Sequence, residues 1–253
     1  MDDRKNQYQY NFSEISRAAV YDRQGREQKA KTMVSVLQDF ISADLKSLTL
    51  LDVGSSTGII ANYLSMHFGK VVGIDIDRPA VEFAKVTHKK DNLVFIQADS
   101  LKIEMPENYF DVVICAQVYE HVPDAEMMMD EIYRILKPGG VCYFAAGNRL
   151  NIIEPHYHLP FLSVIPRPLA DIYIRWAGRG KFYYEKHLSY WGLRRLVRKF
   201  EVIDYTRKII ENPHRFSADY MLKTDAMKTR LAGLIVKYAY WLCPGYLWLL
   251  KKS

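Results

Sequence analysis

The sequence predicts an α/β fold in which a mostly parallel sheet carries helices on both faces. An apolar run that ends at Val53 leads into a turn of small residues from Gly54 to Gly58, and a helical pattern follows. A second apolar run ends in Asp75, seventeen residues after Gly58. An apolar strand, a tight turn, a helix and a second apolar strand are together typical of a βαβ unit that binds a nucleoside.

The turn indicates which ligand this unit binds. A dinucleotide-binding turn has three glycines because they make room for a pyrophosphate, whereas this turn reads Gly-Ser-Ser-Thr-Gly. An acid, Asp52, lies two positions before Gly54 and would repel a pyrophosphate. The same carboxylate suits an ammonium or sulfonium group, and a helix N-terminus suits a carboxylate of the ligand. The acid therefore favours S-adenosylmethionine over NAD, with Asp75 on the two ribose hydroxyls.

Three further segments follow in the order and at the intervals of a known family. They read FIQADS from Phe95, FDVVICAQVYEHVPD from Phe110 and ILKPGGVCYF from Ile135. With the turn, they resemble the class I S-adenosylmethionine-dependent methyltransferases, and among these the small bacterial type 11-like enzymes, over roughly residues 45–150. The sequence departs from the family at Ser56, where the family has a glycine.

The resemblance implies a doubly wound, seven-strand, mostly parallel sheet of the Rossmann-like methyltransferase fold. It also implies S-adenosylmethionine as cofactor, with Asp99 at the adenine amino group and Gln117 near the transferred methyl group. Taken singly, each residue also has an ordinary structural explanation, such as a helix cap for an acid at a strand end. The residues that match the family's cofactor positions are Asp52, Gly54, Ser55, Ser56, Gly58, Asp75, Ile76, Asp99, Ser100 and Gln117.

The pattern along the chain predicts five segments. Apolar residues at helical spacing predict an N-terminal helical lid over residues 1–45, ahead of a cofactor-binding core over 46–147. Regular alternation of strands and helices stops after the fifth strand, and we interpret residues 148–186 as a substrate-binding insert. The sheet is expected to end within residues 187–225, and residues 226–253 form an aromatic-rich, helical tail.

Further helices and one strand complete the predicted core. Pro79 suits the first turn of a helix and the lysines before residue 91 suit its C-terminal end, which predicts a helix over 79–90. Apolar spacing predicts helices over 124–136 and 187–200, and the last of these leads into a strand over 201–207.

Charge is divided unevenly along the chain. Residues 1–150 contain 17 Lys and Arg against 21 Asp and Glu, a net charge of −4, whereas residues 151–253 contain 18 against 8, a net charge of +10. The basic part indicates an anionic partner, either a membrane surface or a phosphorylated substrate. Nucleic acid is less favoured, because the basic residues are mixed with aliphatic ones and no RNA-binding motif occurs.

The tail has the composition of a membrane-interfacial segment. Residues 231–250 are numerous enough to span a bilayer, but Lys237 and Pro244 interrupt them and Tyr and Trp occur throughout. Aromatic residues of this kind prefer the headgroup boundary, and the flanking lysines favour anionic lipid. Packing of the tail on the sheet or in a homodimer interface stays open.

Cysteine usage and the N-terminus favour a cytoplasmic protein, peripheral on the inner face of the membrane where the tail binds lipid. The three cysteines include no Cys-x-x-Cys pair, so neither a disulfide nor a zinc site is expected. The first twelve residues are polar, so no secretory signal is expected.

Methyl transfer to an oxygen needs a group that receives the acceptor's proton. His121, just past the fourth strand, is one candidate. The insert offers a denser group, in which His156, Tyr157 and His158 follow Glu154. Two histidines can also bind a metal, but the sequence shows no third ligand, so no metal is expected.

These features predict O-methylation of an amphipathic acceptor, which is a lipid-linked glycan, a prenylated quinone or phenol precursor, or another lipid. Two alternatives stay open at this point. One is an enzyme for a soluble small molecule that uses its tail as a dimer interface. The other is a non-catalytic methyltransferase-like subunit that binds a partner through its basic part. Asp75 and Asp99 argue against the second, because an abandoned site has no need of ribose and adenine contacts.

Overall fold

The computed structural model describes residues 9–222 and 227–253 of the chain. The helices in this part are α1 Phe12–Ile15, α2 Arg17–Val20, α3 Arg23–Phe40, α4 Ile59–Leu64, α5 Arg78–Thr87, α6 Ala125–Ile135, α7 Arg167–Trp176, α8 Tyr190–Leu196, α9 Thr206–Glu211 and α10 Met227–Tyr238. The strands are β1 Thr49–Val53, β2 Lys70–Asp75, β3 Leu93–Gln97, β4 Phe110–Ala116, β5 Leu136–Gly147, β6 Glu201–Asp204 and β7 Gly245–Lys251.

The seven strands form one sheet in the order β3-β2-β1-β4-β5-β7-β6. Strands β1 to β5 pair in parallel, and β7 lies antiparallel between β5 and β6. The strand order changes direction between β1 and β4, so the carboxyl ends of these strands flank the crevice in which open α/β sheets bind ligands. This architecture confirms the predicted doubly wound, mostly parallel, seven-strand fold.

Consecutive residues of the central strands pack into two apolar layers, one on each face of the sheet. Leu51 and Val53 of β1 belong to one layer, and Leu50 belongs to the other. Strand β4 divides its side chains in the same way. Because both faces are covered, each parallel strand is a continuous apolar run, which is the pattern seen in the sequence.

Side-chain caps fix where two helices begin at the ligand-binding edge. Asp77 Oδ1 accepts a hydrogen bond from Ala80 N at the start of α5, and Asp124 Oδ1 accepts one from Met127 N at the start of α6. Each carboxylate satisfies one of the backbone N–H groups that a helix N-terminus leaves free. These two caps therefore fix the residues at which the preceding loops end.

The C-terminal tail differs from its prediction. Helix α10 lies within residues 226–253 as expected, but Gly245–Lys251 form β7 inside the core sheet, so the sheet does not end within residues 187–225. Trp248, Leu249 and Leu250 are at most 1% exposed. A strand that is buried on both faces is apolar at every position, and in sequence it resembles a membrane-facing segment. Membrane contact by β7 is therefore ruled out.

In the described part of the chain, every helix is too short or too polar to cross a bilayer.

The insert leaves the sheet at its ligand-binding edge. Residues 148–186 follow Gly147, the last residue of β5, and contain α7. The insert has an apolar core of its own, formed by Leu159, Leu162, Ala170, Ile174 and Tyr183. This core is separate from the two apolar layers of the sheet. The insert is therefore stabilised by its own packing at the carboxyl edge of the sheet.

Candidate active site

The turn after β1 requires glycine or other small residues, because its backbone adopts the left-handed conformation at three positions. Gly54 has φ +73°, Ser56 has φ +50° and Gly58 has φ +76°. A Cβ atom at Gly58 would lie 2.5 Å from the ring of Phe95. Gly58 is thus required both for its conformation and for its close approach to β3. Ser56 adopts the left-handed conformation at a cost that the family's glycine would not have.

Asp52 presents a buried carboxylate to this turn. The residue is 4% exposed, and its Oδ2 has no hydrogen-bond partner in the described part of the chain. Burial raises the pKa of Asp52 to about 7, against the lowering effect of the Arg26 guanidinium. A buried oxygen without a partner requires a cationic or hydrogen-bonding ligand. The positive groups of S-adenosylmethionine supply one, so these residues fit the donor.

Asp75 ends β2 with its carboxylate held by backbone groups. Its Oδ2 accepts a hydrogen bond from Ser56 N at 2.7 Å, and its Oδ1 accepts one from Asp77 N at 2.9 Å. Burial raises the pKa of Asp75, and these backbone hydrogen bonds oppose that rise. Each carboxylate oxygen can accept a further bond, so the side chain is oriented and still able to bind ribose hydroxyls. Ile76, predicted beside it, is half-buried.

The other predicted cofactor residues also follow strand ends. Asp99 is exposed after β3 and its Oδ1 accepts a hydrogen bond from Leu101 N, and Ser100 beside it is half-buried. Gln117 is exposed after β4 with φ +58°. The carboxyl ends of parallel strands share one edge, so the structure brings these residues to the edge that holds the turn. Their roles stay predictions.

Arg26 of α3 is a residue that the sequence analysis missed. Its Nε donates to Ala19 O at 3.2 Å. Burial lowers the pKa of Arg26, while the carboxylates of Asp52 and Asp75 raise it. The guanidinium thus brings a positive charge to the donor site, where it suits the donor's carboxylate. An arginine in a polar stretch of a helix has no sequence signal that separates it from a surface residue.

The N-terminal segment is fastened across the donor-binding turn. Ser13 N donates to Asp77 Oδ2 at 2.6 Å, and Thr57 Oγ1 donates to Val20 O at 2.6 Å. The ring of Tyr21 packs edge-on against Phe83 of α5. These contacts place α1 and α2 against the loops that follow β1 and β2, which is the position that the predicted lid requires.

A second group of polar side chains gathers beside the donor site. Its members come from three separate loops and are buried or half-buried. We call it the His–Glu cluster, and it consists of Glu120, His121, Glu154, His156, Glu185 and His187. Hydrogen bonds to the backbone hold the loops together: Lys186 N donates to Glu120 O at 2.8 Å, and the side-chain hydroxyl of Tyr119 both donates to Gly147 O and accepts from Leu188 N.

Glu154 forms the centre of the cluster. It is 0% exposed, and its Oε1 lies 2.7 Å from His156 Nδ1 and 3.2 Å from His187 Nε2. Its Oε2 accepts hydrogen bonds from His156 N and Tyr157 N. Burial opposes ionisation, but the two imidazoles and the backbone bonds lower the pKa of Glu154 to about 2. The carboxylate is therefore an anion with a fixed orientation.

The predicted catalytic residues occupy different positions. His156 is half-buried, and its pKa is raised because Glu154 and Glu185 outweigh burial. Burial lowers the pKa of His121 to about 3, so this ring is a weak proton acceptor. The Tyr157 hydroxyl donates to Phe182 O at 3.1 Å. His158 is exposed. The geometry favours His156 among the four candidates.

His187 is a second residue that the sequence analysis missed. A Cβ atom at Gly147 would lie 3.5 Å from His187 Nδ1 and 3.6 Å from Gln117 Oε1. The methyl-transfer position predicted at Gln117 is thus next to the His–Glu cluster, with Gly147 between them. In sequence His187 precedes a helix and looks like part of a cap, so only the folded loop reveals its partners.

Comparison with known proteins identifies the family. A family profile described as a methyltransferase domain matches residues 51–144. A ubiquinone biosynthesis O-methyltransferase of Pseudomonas putida is 30% identical over 190 residues, covering 69% of this chain and 77% of the relative. An S-adenosylmethionine-dependent methyltransferase of Mesorhizobium loti has a TM-score of 0.56 at 15% identity, covering 89% of this chain and 100% of that one.

A third comparison concerns a structure with the methyl donor present. Phosphoethanolamine N-methyltransferase 2 of Haemonchus contortus, solved in complex with S-adenosylmethionine, has a TM-score of 0.53 at 18% identity, covering 88% of this chain and 52% of that one.

The fold, the donor-binding turn and the identity to a relative together show that the chain belongs to the class I S-adenosylmethionine-dependent methyltransferases. It is an enzyme that takes its methyl group from S-adenosylmethionine. The predicted family and methyl donor are thereby confirmed.

Proposed function

We propose that the enzyme O-methylates a hydroxyl group of an amphipathic acceptor, a prenylated quinone or phenol precursor, at a membrane surface. The observation that carries this proposal is the His–Glu cluster beside Gly147 and Gln117. A hydroxyl must lose its proton to accept a methyl group, whereas an amine needs only a free lone pair. The name of the Pseudomonas putida relative, a ubiquinone biosynthesis O-methyltransferase, supports a quinone-type acceptor.

The reaction requires the enzyme to hold the methyl donor and the acceptor in line. When bound, S-adenosylmethionine supplies a methyl group on a positively charged sulfur. The acceptor oxygen forms a bond to the methyl carbon, the carbon–sulfur bond breaks with its electron pair going to sulfur, and the hydroxyl proton passes by way of the His–Glu cluster to water. The chain must hold the acceptor oxygen about 3 Å from the methyl carbon on the side opposite sulfur.

In that geometry we infer that Asp52 faces the positive charge of the donor and that Asp75 binds its ribose. We assign the adenine to Asp99 and the position beside the methyl group to Gln117. We assign contact with the acceptor to His156, because its side chain is 22% exposed whereas that of His187 is 2% exposed. Glu154 orients His156 through the bond to Nδ1.

Exposed apolar side chains support contact with an anionic membrane. On α7, Trp176 is 85% exposed beside the exposed Arg175, and on α10, Tyr238 is 73% exposed beside the exposed Lys237. Exposed aromatic rings next to basic side chains suit the headgroup layer of an anionic bilayer. The net charge of +10 over residues 151–253 acts in the same direction. We place the enzyme peripherally on the inner face of the membrane.

Two phenols that differ only in an isoprenoid tail test the acceptor. We expect methyl transfer to oxygen, identified by mass spectrometry of the product, and a higher kcat/KM for the tailed phenol in anionic vesicles. Methylation of nitrogen or carbon, or no preference for the tail, would contradict the proposal.

Sedimentation with vesicles tests the surface separately. The wild type should pellet with anionic vesicles at low salt and stay in solution with neutral ones, because screening and neutral lipid both remove the attraction. Trp176→Ala should reduce the pelleted fraction. Val86→Ala is the matched control, since Val86 is 71% exposed on α5 in the acidic half. A stable dimer that covers Trp176 in solution would favour a dimer interface instead.

A further inference from the structure

One carboxylate and two imidazoles of the His–Glu cluster are spaced like metal ligands. Glu154, His156 and His187 each offer one ligand atom, and these atoms all lie within 4.8 Å of one another. Oε1 of Glu154 is 2.7 Å from His156 Nδ1 and 3.2 Å from His187 Nε2. A zinc ion binds such atoms at about 2.1 Å, which places tetrahedral ligands roughly 3.4 Å apart. The distance from Oε1 to His187 is close to that value. His156 Nδ1 lies nearer, at hydrogen-bond distance, and moves outward when an ion enters.

The carboxylate is also held in place before any ion binds. Both bonds to Oε2 of Glu154 come from backbone groups, His156 N at 2.8 Å and Tyr157 N at 2.7 Å. Oε1 is thereby left to the two imidazoles. Carboxylates and imidazoles that bind metals are usually oriented in this way by a second layer of hydrogen bonds.

A neighbouring carboxylate independently points to a cation. Glu120 is 0% exposed, and neither of its carboxylate oxygens has a hydrogen-bond partner within residues 9–222 and 227–253. Glu120 forms a second group of ligand-type atoms with His121 and His156, again within 4.8 Å of one another. A buried carboxylate with both oxygens unpartnered is costly unless a positive charge lies beside it. His156 belongs to both groups, so an ion at Glu154 would lie next to Glu120.

We propose that Glu154, His156 and His187 bind a divalent first-row transition metal ion, with zinc as the representative case, and that this ion offsets the charge of Glu120. Two imidazoles and one carboxylate suit such an ion better than Mg²⁺, which prefers oxygen ligands. Three protein ligands leave one coordination position open, as in catalytic zinc sites.

The open position gives the ion a role in the reaction, and this role rests on the proposed function. His156 is the most exposed of the three ligands, and the proposed function places it on the acceptor side of the cluster. An acceptor hydroxyl at the open position would release its proton to water more readily, because the ion withdraws charge from the oxygen.

Zinc binding to the full chain tests the site directly. The protein is dialysed against a chelator, and its zinc affinity and its zinc content after gel filtration are then measured. We expect one ion per chain. Glu154→Gln and His187→Ala should each lower zinc affinity by about tenfold or more. His214→Ala is the matched control, because it removes an imidazole that is 91% exposed and paired with Asp219.

Titration with S-adenosylhomocysteine shows whether each variant is folded, since the donor site does not include the substituted side chains. A chain that binds S-adenosylhomocysteine but no zinc would overturn the proposal, and so would equal zinc affinity in Glu154→Gln and His214→Ala. Full turnover after chelation would overturn the catalytic role. Tight zinc binding without methylation of any hydroxyl acceptor would leave the metal site standing and defeat the proposed function.

Discussion

The donor site and the His–Glu cluster lie side by side at one edge of the sheet, but they are built in opposite ways. The donor site takes most of its residues from consecutive turns after β1 and β2, between Asp52 and Asp77. The cluster takes side chains from three loops that are far apart in sequence, near residues 120, 154 and 187. Local backbone geometry therefore controls the first, and long-range packing controls the second.

Two buried carboxyl groups show the same contrast in electrostatics. Asp52 is 4% exposed and Glu154 is 0% exposed. Burial raises the pKa of Asp52 to about 7, whereas imidazole and backbone donors hold the pKa of Glu154 at about 2. Burial alone thus does not decide the charge state of a carboxyl group. The number of hydrogen-bond donors around it decides between these two cases. The donor site keeps an unsatisfied carboxyl for its ligand, and the cluster keeps a fixed anion.

Removing the charge of the cluster should have the largest effect. Glu154→Gln keeps the shape of the side chain but not the anion that holds His156 and His187. We expect kcat to fall by roughly 10²–10⁴-fold, the usual contribution of proton removal, because the acceptor hydroxyl is no longer activated. Affinity for S-adenosylhomocysteine, measured by calorimetry, should stay unchanged. His214→Ala again serves as control. Equal losses of donor affinity and turnover would show that the two sites are not separate.

A substitution in the donor turn should produce the opposite pattern. Gly58→Ala places a Cβ atom 2.5 Å from the ring of Phe95 and 2.8 Å from Ala84 Cβ. Overpacking of this kind costs about 1–3 kcal/mol, so we expect a lower free energy of unfolding and weaker donor binding. Urea unfolding and calorimetry measure the two effects.

Gly139→Ala is the matched control for this variant. Gly139 has φ +78°, close to the +76° of Gly58, but no non-adjacent atom of residues 9–222 and 227–253 lies within 4 Å of its Cβ position. The difference between the two variants therefore separates the contact with Phe95 from backbone strain. Equal destabilisation would show that strain alone makes the glycine necessary.

The contrast between local backbone geometry and long-range packing also explains which site residues the sequence could predict. The turn, Asp52 and Asp75 were identifiable because a strand, a turn and an acid at the next strand end follow one another along the chain. Arg26 and His187 were not, because each becomes part of a site only when its helix or loop packs against distant residues. Glu154 and His156 were found as candidates, but their shared contact with His187 required the folded insert.

The difference between prediction and structure at β7 has a related cause. A central strand and a membrane-interfacial segment both require apolar or aromatic side chains at successive positions, so composition does not separate them. Trp248 is 1% exposed because β5 and β6 flank its strand and apolar layers cover both faces. Pairing between β5 and β7 joins residues about a hundred positions apart, which no local pattern records.

The pKa of Asp52 makes donor binding depend on pH. Near a pKa of about 7, the carboxyl group gains a proton as the pH falls from 8 to 6 and loses its attraction for the positive donor. We expect affinity for S-adenosylmethionine to fall by about tenfold over that range, since one pH unit below the pKa leaves about a tenth of the group ionised. Asp52→Asn should bind weakly at both pH values. A pH dependence that survives in Asp52→Asn would assign the titration to another group.

The smallest effect is expected at Ser56, where the chain departs from the family's glycine. The left-handed conformation at φ +50° costs a side chain about 1–2 kcal/mol. Ser56→Gly should therefore raise the free energy of unfolding in urea, but by less than about 1 kcal/mol, because glycine is also freer in the unfolded chain. Donor affinity should not change, since Ser56 N donates to Asp75 in either variant.

Ser217→Gly offers a matched control away from the donor turn, at φ +52°. Its hydroxyl bonds to Ser35 Oγ, so its gain from relieved strain is offset by one lost hydrogen bond. Ser56→Gly is compared with Ser217→Gly by the change in the free energy of unfolding. A larger increase for Ser56→Gly would confirm that the donor turn depends on backbone conformation alone. A loss of stability at Ser56 would mean that its hydroxyl makes a necessary contact, and the donor turn would then share the dependence on side chains that characterises the His–Glu cluster.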